Sequence, residues 1–112
     1  MDCIFCAIMA GDIPSDRVYE DDSVVAFKDI NPKAPVHVLI VPRRHIPSFN
    51  DIAEEDVGLI GHIFLAARDI AKDMGVAESG YRLVSNNGPE GGQEVDHLHV
   101  HLLGGRQMRA LG

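Results

Sequence analysis

The stretch His97-Leu98-His99-Val100-His101-Leu102-Leu103 decides how this chain is read. Polar and apolar residues alternate through it, the pattern of a β-strand with one buried face. On such a strand His97, His99 and His101 share one side, while Leu98, Val100 and Leu102 form the other and can pack on a helix. A strand anchored by its apolar side holds the imidazoles in fixed positions. With a rise of about 3.3 Å per residue, His97 and His101 stand about 13 Å apart, too far for all three to ligate one ion at about 2.1 Å. At most two neighbours share a metal. Crowding and partial burial keep imidazoles neutral near pH 7, and a neutral imidazole can attack phosphorus and then leave, dividing a hard displacement into two easier ones.

The residues before this strand, Asn86-Asn87-Gly88-Pro89-Glu90-Gly91-Gly92-Gln93-Glu94-Val95, place glycines where backbone N–H groups can turn toward phosphate oxygens. Farther upstream, residues 18–20 and 24–27 read as two short strands joined by the acidic turn Asp21-Asp22-Ser23. Residues 36–41 are β-branched and nearly continuously apolar, as in a strand buried on both faces, and Pro42 ends it. From 51 to 74, Val57, Ile60, Phe64, Ala67, Ala71 and Met74 recur at the spacing of one helical face. Asp51 and Glu54 resemble a capping box at the start of this one long helix, and Gly75 supplies its left-handed stop. Residues 81–84 read as another strand. Strands before and after one long helix, with short connections, predict an α+β fold: an antiparallel sheet of about five strands with helices covering it.

The 112 residues, 46% of them hydrophobic, suffice for one core and predict a single domain, 1–112. A net charge of −7 argues against a protein that wraps nucleic-acid backbone, which needs a basic face. The longest apolar run, 36–41, is interrupted by His37 and is far short of the roughly 20 residues that cross a bilayer, so no membrane partner is expected. Met1-Asp2-Cys3 lacks the basic and apolar regions of a secretory leader, and a cytoplasmic location is the expectation. There, the Cys3-x-x-Cys6 pair suits metal binding or redox chemistry. His62 on the helix reads as structural.

Taken together, these residues resemble the histidine triad nucleotide-binding hydrolases and transferases, whose His-x-His-x-His motif is followed by apolar residues. The likeness runs from Ile4-Phe5 through Phe27-x-Asp29-Ile30, Pro35-x-His37 and Gly91-Gly92-Gln93 to Gly104-Gly105-Arg106-Gln107-Met108. The last two stretches point to the nucleoside phosphoramidase branch. The resemblance implies a homodimer and hydrolysis of purine nucleotides whose α-phosphate bears an amine, without an organic cofactor. By the same resemblance His99 is the nucleophile, forming a nucleotidyl-histidine intermediate, His101 binds phosphate oxygen, and His37 orients or buffers the triad. Ile4, Phe5, Ile8, Phe27, Lys28, Asp29 and Ile30 map onto the base-and-ribose pocket, with Asp29 toward the ribose hydroxyls. Asn86, Gly92, Gln93 and Val95 match the phosphate side. Glu94 stands where animal relatives carry serine and looks like a bacterial variant that attracts or protonates the leaving amine. Zinc-bearing relatives imply a structural Zn²⁺ held by Cys3, Cys6, His45 and His97. Two further activities fit the motif: dinucleoside polyphosphate hydrolysis with the same nucleophile, and nucleotide-binding regulation with little turnover.

Overall fold

The computed structural model describes residues 3–112; Met1 and Asp2, on which the expectations for the N-terminus and for the 1–112 boundary partly rest, lie outside them. The chain forms α1 (Ile4–Met9), β1 (Arg17–Glu20), β2 (Val24–Lys28), β3 (Val36–Pro42), α2 (Val57–Asp73), β4 (Tyr81–Val84) and β5 (Val100–Gly104). All five strands make one antiparallel sheet in the order β1-β2-β3-β5-β4. The predicted hairpin is present, and Asp21 closes its turn by accepting the Ser23 and Val24 N–H groups at 2.8 and 2.9 Å.

Alternation along β2 and β3 explains why both read as buried throughout. Val24, Ala26, Val38 and Ile40 face α2, where Ile63, Ala67, Ile70 and Ala71 meet them together with Val100 and Leu102 of β5. Val25, Phe27, Leu39 and Val41 face the other way and are covered by Phe5 and Ile8 of α1. The sheet is therefore a middle layer, and the strand at its centre needs apolar side chains on both faces.

Three expectations are corrected in detail. The long helix begins at Val57, not near Asp51: residues Phe49–Asp51 and Glu54–Asp56 form single 3₁₀ turns, and Asp56, not Glu54, reaches back to accept the Ala53 N–H at 2.9 Å. Its buried stripe is Ile63, Ala66, Ala67, Ile70 and Ala71, whereas Val57 and Phe64 lie 72% and 47% exposed. The helix is apolar around much of its circumference, so two neighbouring stripes satisfied the spacing, and packing on the sheet chose the one richer in small residues. Gly75 does end it, with φ +76°.

The third correction concerns the histidine strand, whose ladder starts at Val100. Before that point the backbone bonds elsewhere: the His97 N–H to Val95 O at 2.8 Å and the Leu98 N–H to Ile46 O at 2.6 Å. The two-sided alternation survives, because Val100 and Leu102 enter the α2 core while Phe5 of α1 stacks edge-on against His97 and His99.

Candidate active site

A cavity of about 460 Å³ opens between α1, the segment after β2, the glycine loop and β5. Its walls include Ile4, Phe5 and Ile8 from α1, then Phe27, Lys28, Asp29 and Ile30. Asn86, Gly92, Glu94 and Val95 come from the loop, and His37, His99 and His101 from the strands. Every predicted nucleotide-site residue except Gln93 thus borders one space. Gln93 instead braces the loop from behind: its Oε1 accepts the Gly88 N–H at 2.9 Å and its Nε2 donates to Pro47 O and Val95 O at 2.8 and 3.0 Å. Gly92 has φ +84°, a conformation that favours glycine.

The hydrogen bonds assign a tautomer to each histidine here. His99 donates from Nδ1 to the carbonyl of His97 at 2.7 Å, which leaves Nε2 unprotonated with its lone pair free. The Phe5 ring, 5.0 Å away and nearly perpendicular, limits rotation of that imidazole, and the Ser85 hydroxyl donates to the His99 carbonyl at 2.9 Å. His37 accepts the Lys33 backbone N–H at Nδ1, 3.0 Å, so its proton sits on Nε2 and points at Nδ1 of His101, also 3.0 Å away. His101 must then carry its own proton on Nε2. One ring offers a lone pair and its neighbour, 5.0 Å between centroids, offers a donor.

Burial, helped by positive charge on His99 and His37 and opposed by Asp29, pushes His101 down to about 4. Burial also lowers His37, against the pull of Asp29. His101 is accordingly neutral at pH 7. An unfolded chain protonates this histidine near its ordinary 6.5, before the folded one does, so the stability is full above about 6.5 and is lost as pH falls toward 4. The urea midpoint is expected to fall between pH 7 and pH 4.5; a midpoint unchanged across that window would contradict the buried, neutral His101.

The first histidine of the motif faces a different group. His97, wholly buried, donates from Nε2 to Pro42 O at 2.8 Å, so its Nδ1 lone pair faces Cys3 Sγ at 3.3 Å, Cys6 Sγ at 3.6 Å and His45 Nδ1 at 3.0 Å. Cys6 Sγ lies 3.5 Å from His45 Nδ1, and the four donor atoms all lie within 4.8 Å of one another. A tetrahedral zinc with bonds of about 2.1–2.3 Å sets its ligands about 3.4–3.8 Å apart, so this Cys₂His₂ set fits the ion. Asp29, His37 and His101 also converge. There, however, the Lys33 amide holds the His37 proton on the nitrogen that would have to bind metal. Of these two clusters among the described residues, the Cys/His set is the one with both its lone pairs and its outer hydrogen bond arranged for a cation.

Residues 10–108 match the HIT domain. The chain belongs to the HIT family. Among its relatives, the purine nucleoside phosphoramidase of Escherichia coli K12 is 50% identical over 105 residues, spanning 94% of this chain and 88% of that protein. An uncharacterized HIT-like protein of Synechocystis is equally similar, covering 94% of this chain and 91% of its own. Among solved structures, a HIT family hydrolase from Legionella pneumophila superposes with TM-score 0.95 at 49% identity over 96% of each chain. A histidine triad protein from Clostridium difficile gives 0.96 at 47% identity, covering 100% of this chain and 97% of the other. The fold is the HIT fold, as the histidine strand predicted.

Several contributors to the HIT site escaped the sequence. Lys33 lines the cavity and sets the His37 tautomer through its backbone, and Arg106 pins Lys33 by donating to its carbonyl at 2.7 Å. Backbone donors carry no signature of side-chain type. Ile13, Pro14 and Ser15 complete the apolar end of the cavity from the turn after α1, a stretch without periodicity.

Proposed function

We propose that this HIT-family chain hydrolyses purine nucleoside 5′-phosphoramidates, with His99 as the nucleophile. The observation that carries the proposal is the paired tautomers: a free Nε2 lone pair on His99 beside an Nε2–H donor on His101, both lining a cavity that also holds apolar side chains and Asp29. The similarity to the E. coli purine nucleoside phosphoramidase supports the substrate class. In the first step the His99–phosphorus bond forms as the phosphorus–nitrogen bond breaks, the departing nitrogen taking up a proton from solvent; water then attacks phosphorus, gives the nucleoside monophosphate, returns neutral His99 and releases its proton to solvent. His101 hydrogen-bonds a phosphoryl oxygen, and Glu94, on the same wall, attracts the departing amine as it becomes cationic. The apolar side chains of α1, with Phe27 and Ile30, take the purine, and Asp29 the ribose. The test is a panel of nucleoside phosphoramidates and dinucleoside polyphosphates; preferential cleavage of the polyphosphates would reassign the substrate.

Asp29 already accepts the Asn31 N–H at 2.8 Å with one oxygen, leaving lone pairs of the other for hydroxyls. A charge-assisted hydrogen bond contributes about 1.5–3 kcal/mol, so Asp29→Asn is expected to weaken AMP binding roughly ten- to a hundredfold. If 2′-deoxy-AMP binds wild type as tightly as AMP, the ribose assignment fails.

Cys3, Cys6, His45 and His97 would hold a zinc ion, which would supply a rigid cross-link and no open coordination position. The homodimer is supported by the unpaired outer edge of β4 and by the exposed Phe64 and Leu65 of α2. Sedimentation equilibrium should return twice the chain mass of 12.2 kDa, and a monomer at micromolar concentration would contradict it. A cytoplasmic setting, where thiols stay reduced, suits the cysteine pair.

A further inference from the structure

We propose that Cys3 and Cys6 are an oxidation site through which peroxide lowers nucleotide affinity; the inference rests on the nucleotide and zinc readings above. Cys3 caps α1 and accepts the Cys6 N–H at Sγ, 3.4 Å, so the two sulfurs sit one helical turn apart. The two sulfurs lie within 4.8 Å of one another, and a small backbone shift at the start of α1 that sets the Cβ atoms about 3.5–4.5 Å apart closes the disulfide. Both thiols are partly exposed, which lets a small oxidant in. The chemistry balances with hydrogen peroxide as oxidant: two thiolates, one peroxide and two protons give one disulfide and two waters, each sulfur losing one electron. With its two anionic ligands gone, the cation leaves.

The consequence follows from what each cross-link joins. Through the metal, Cys3 is tied to His97, 94 positions away, and Cys6 to His45, 39 positions away. A Cys3–Cys6 disulfide closes only its own short loop and ties α1 to nothing else. At its far end α1 stays held by Arg17, whose guanidinium donates to the carbonyls of Ile8 and Met9 at 2.8 and 3.2 Å. The freed end carries Ile4 and Phe5, the cavity wall assigned to the base. His99 keeps its bond to the His97 carbonyl, and His97 keeps Pro42, so the nucleophile keeps its tautomer although the Phe5 contact loosens. Oxidation therefore acts chiefly on KM and more weakly on kcat.

The experiment treats the zinc-loaded full chain with hydrogen peroxide and follows zinc release with a chromogenic chelator, disulfide formation by the loss of two hydrogens in the mass spectrum, and AMP affinity by calorimetry. One zinc released per disulfide, with AMP affinity about tenfold weaker as the ordering of α1 becomes part of binding, is the expected result. Dithiothreitol plus zinc should restore both in the same sample. The Cys3→Ala/Cys6→Ala protein should not respond to peroxide; a response there would trace the effect to methionine oxidation and overturn the inference. Equal AMP affinity before and after disulfide formation overturns it alone. An untreated protein that does not bind AMP overturns the nucleotide reading first, and this inference with it.

Discussion

His99→Ala is expected to lower turnover of an adenosine phosphoramidate by at least about a thousandfold while AMP binding stays within about tenfold. The asymmetry follows from where this ring makes its bonds. On one side Nδ1 is occupied by the His97 carbonyl, and on the other Nε2 has no hydrogen-bond partner among the described residues, while the ring lines the cavity. Truncation removes the atom that bonds phosphorus, leaving only direct attack by water. It leaves the α1 wall, Asp29, His101 and the glycine loop in place, so most of the ground-state contacts survive. Acid quench of wild type during a single turnover should trap a nucleotidyl adduct on His99. Turnover that survives the substitution would refute the covalent path.

The same ring shows what a strand pattern can and cannot disclose. Period-two alternation placed His97, His99 and His101 on the side away from α2, and the structure agrees. The pattern could not show that the ladder begins only at Val100, because the Val95 and Ile46 carbonyls that capture the His97 and Leu98 amides belong to irregular segments. Nor could it separate the roles of the three rings, which depend on whether each outer nitrogen meets Pro42 O, His97 O or His37. β3 and the stop at Gly75 were legible because burial on both faces and positive φ leave strong compositional marks. Helix α1 left none: six residues are too few for a periodicity, and Phe5 and Ile8 reveal their common face only against Phe27 and Leu39. The onset of α2 was missed because Asp51, Glu54 and Asp56 all suit a helix start, and it is Asp56, buried and paired with Arg44, that the tertiary structure uses.

That Arg44–Asp56 pair sits beside His45, on the segment that joins the Cys/His cluster to the start of α2, and it bears on the effect of removing the metal. Without the ion, the cluster has thiol–imidazole contacts of 3.3–3.6 Å and the 3.0 Å His45–His97 contact to join three segments distant in sequence. With it, four strong bonds close those loops, and because the full set of ligands exists only in the folded chain, the binding energy appears as folding energy. A metal present at a thousandfold over its dissociation constant stabilises by about 4 kcal/mol, and at about 4 °C per kcal/mol for a domain of this size the loss on chelation is about 15 °C in Tm. Cys3→Ser should produce a drop of the same kind, and chelator should then add little to it. His97→Ala should cost more, because it also removes a wholly buried ring packed on Phe5 and bonded to Pro42. Metal analysis of protein purified without chelator is expected to return about one zinc per chain. In metal-loaded protein kept free of peroxide, a bulky thiol reagent should reach neither thiol until the protein is denatured or chelated. Freely titrating thiols in native, active protein together with zinc-free preparations would show that the packing of Phe5 and Ile8, the Arg17 hydrogen bonds and the thiol–imidazole contacts hold α1 against the sheet without a metal.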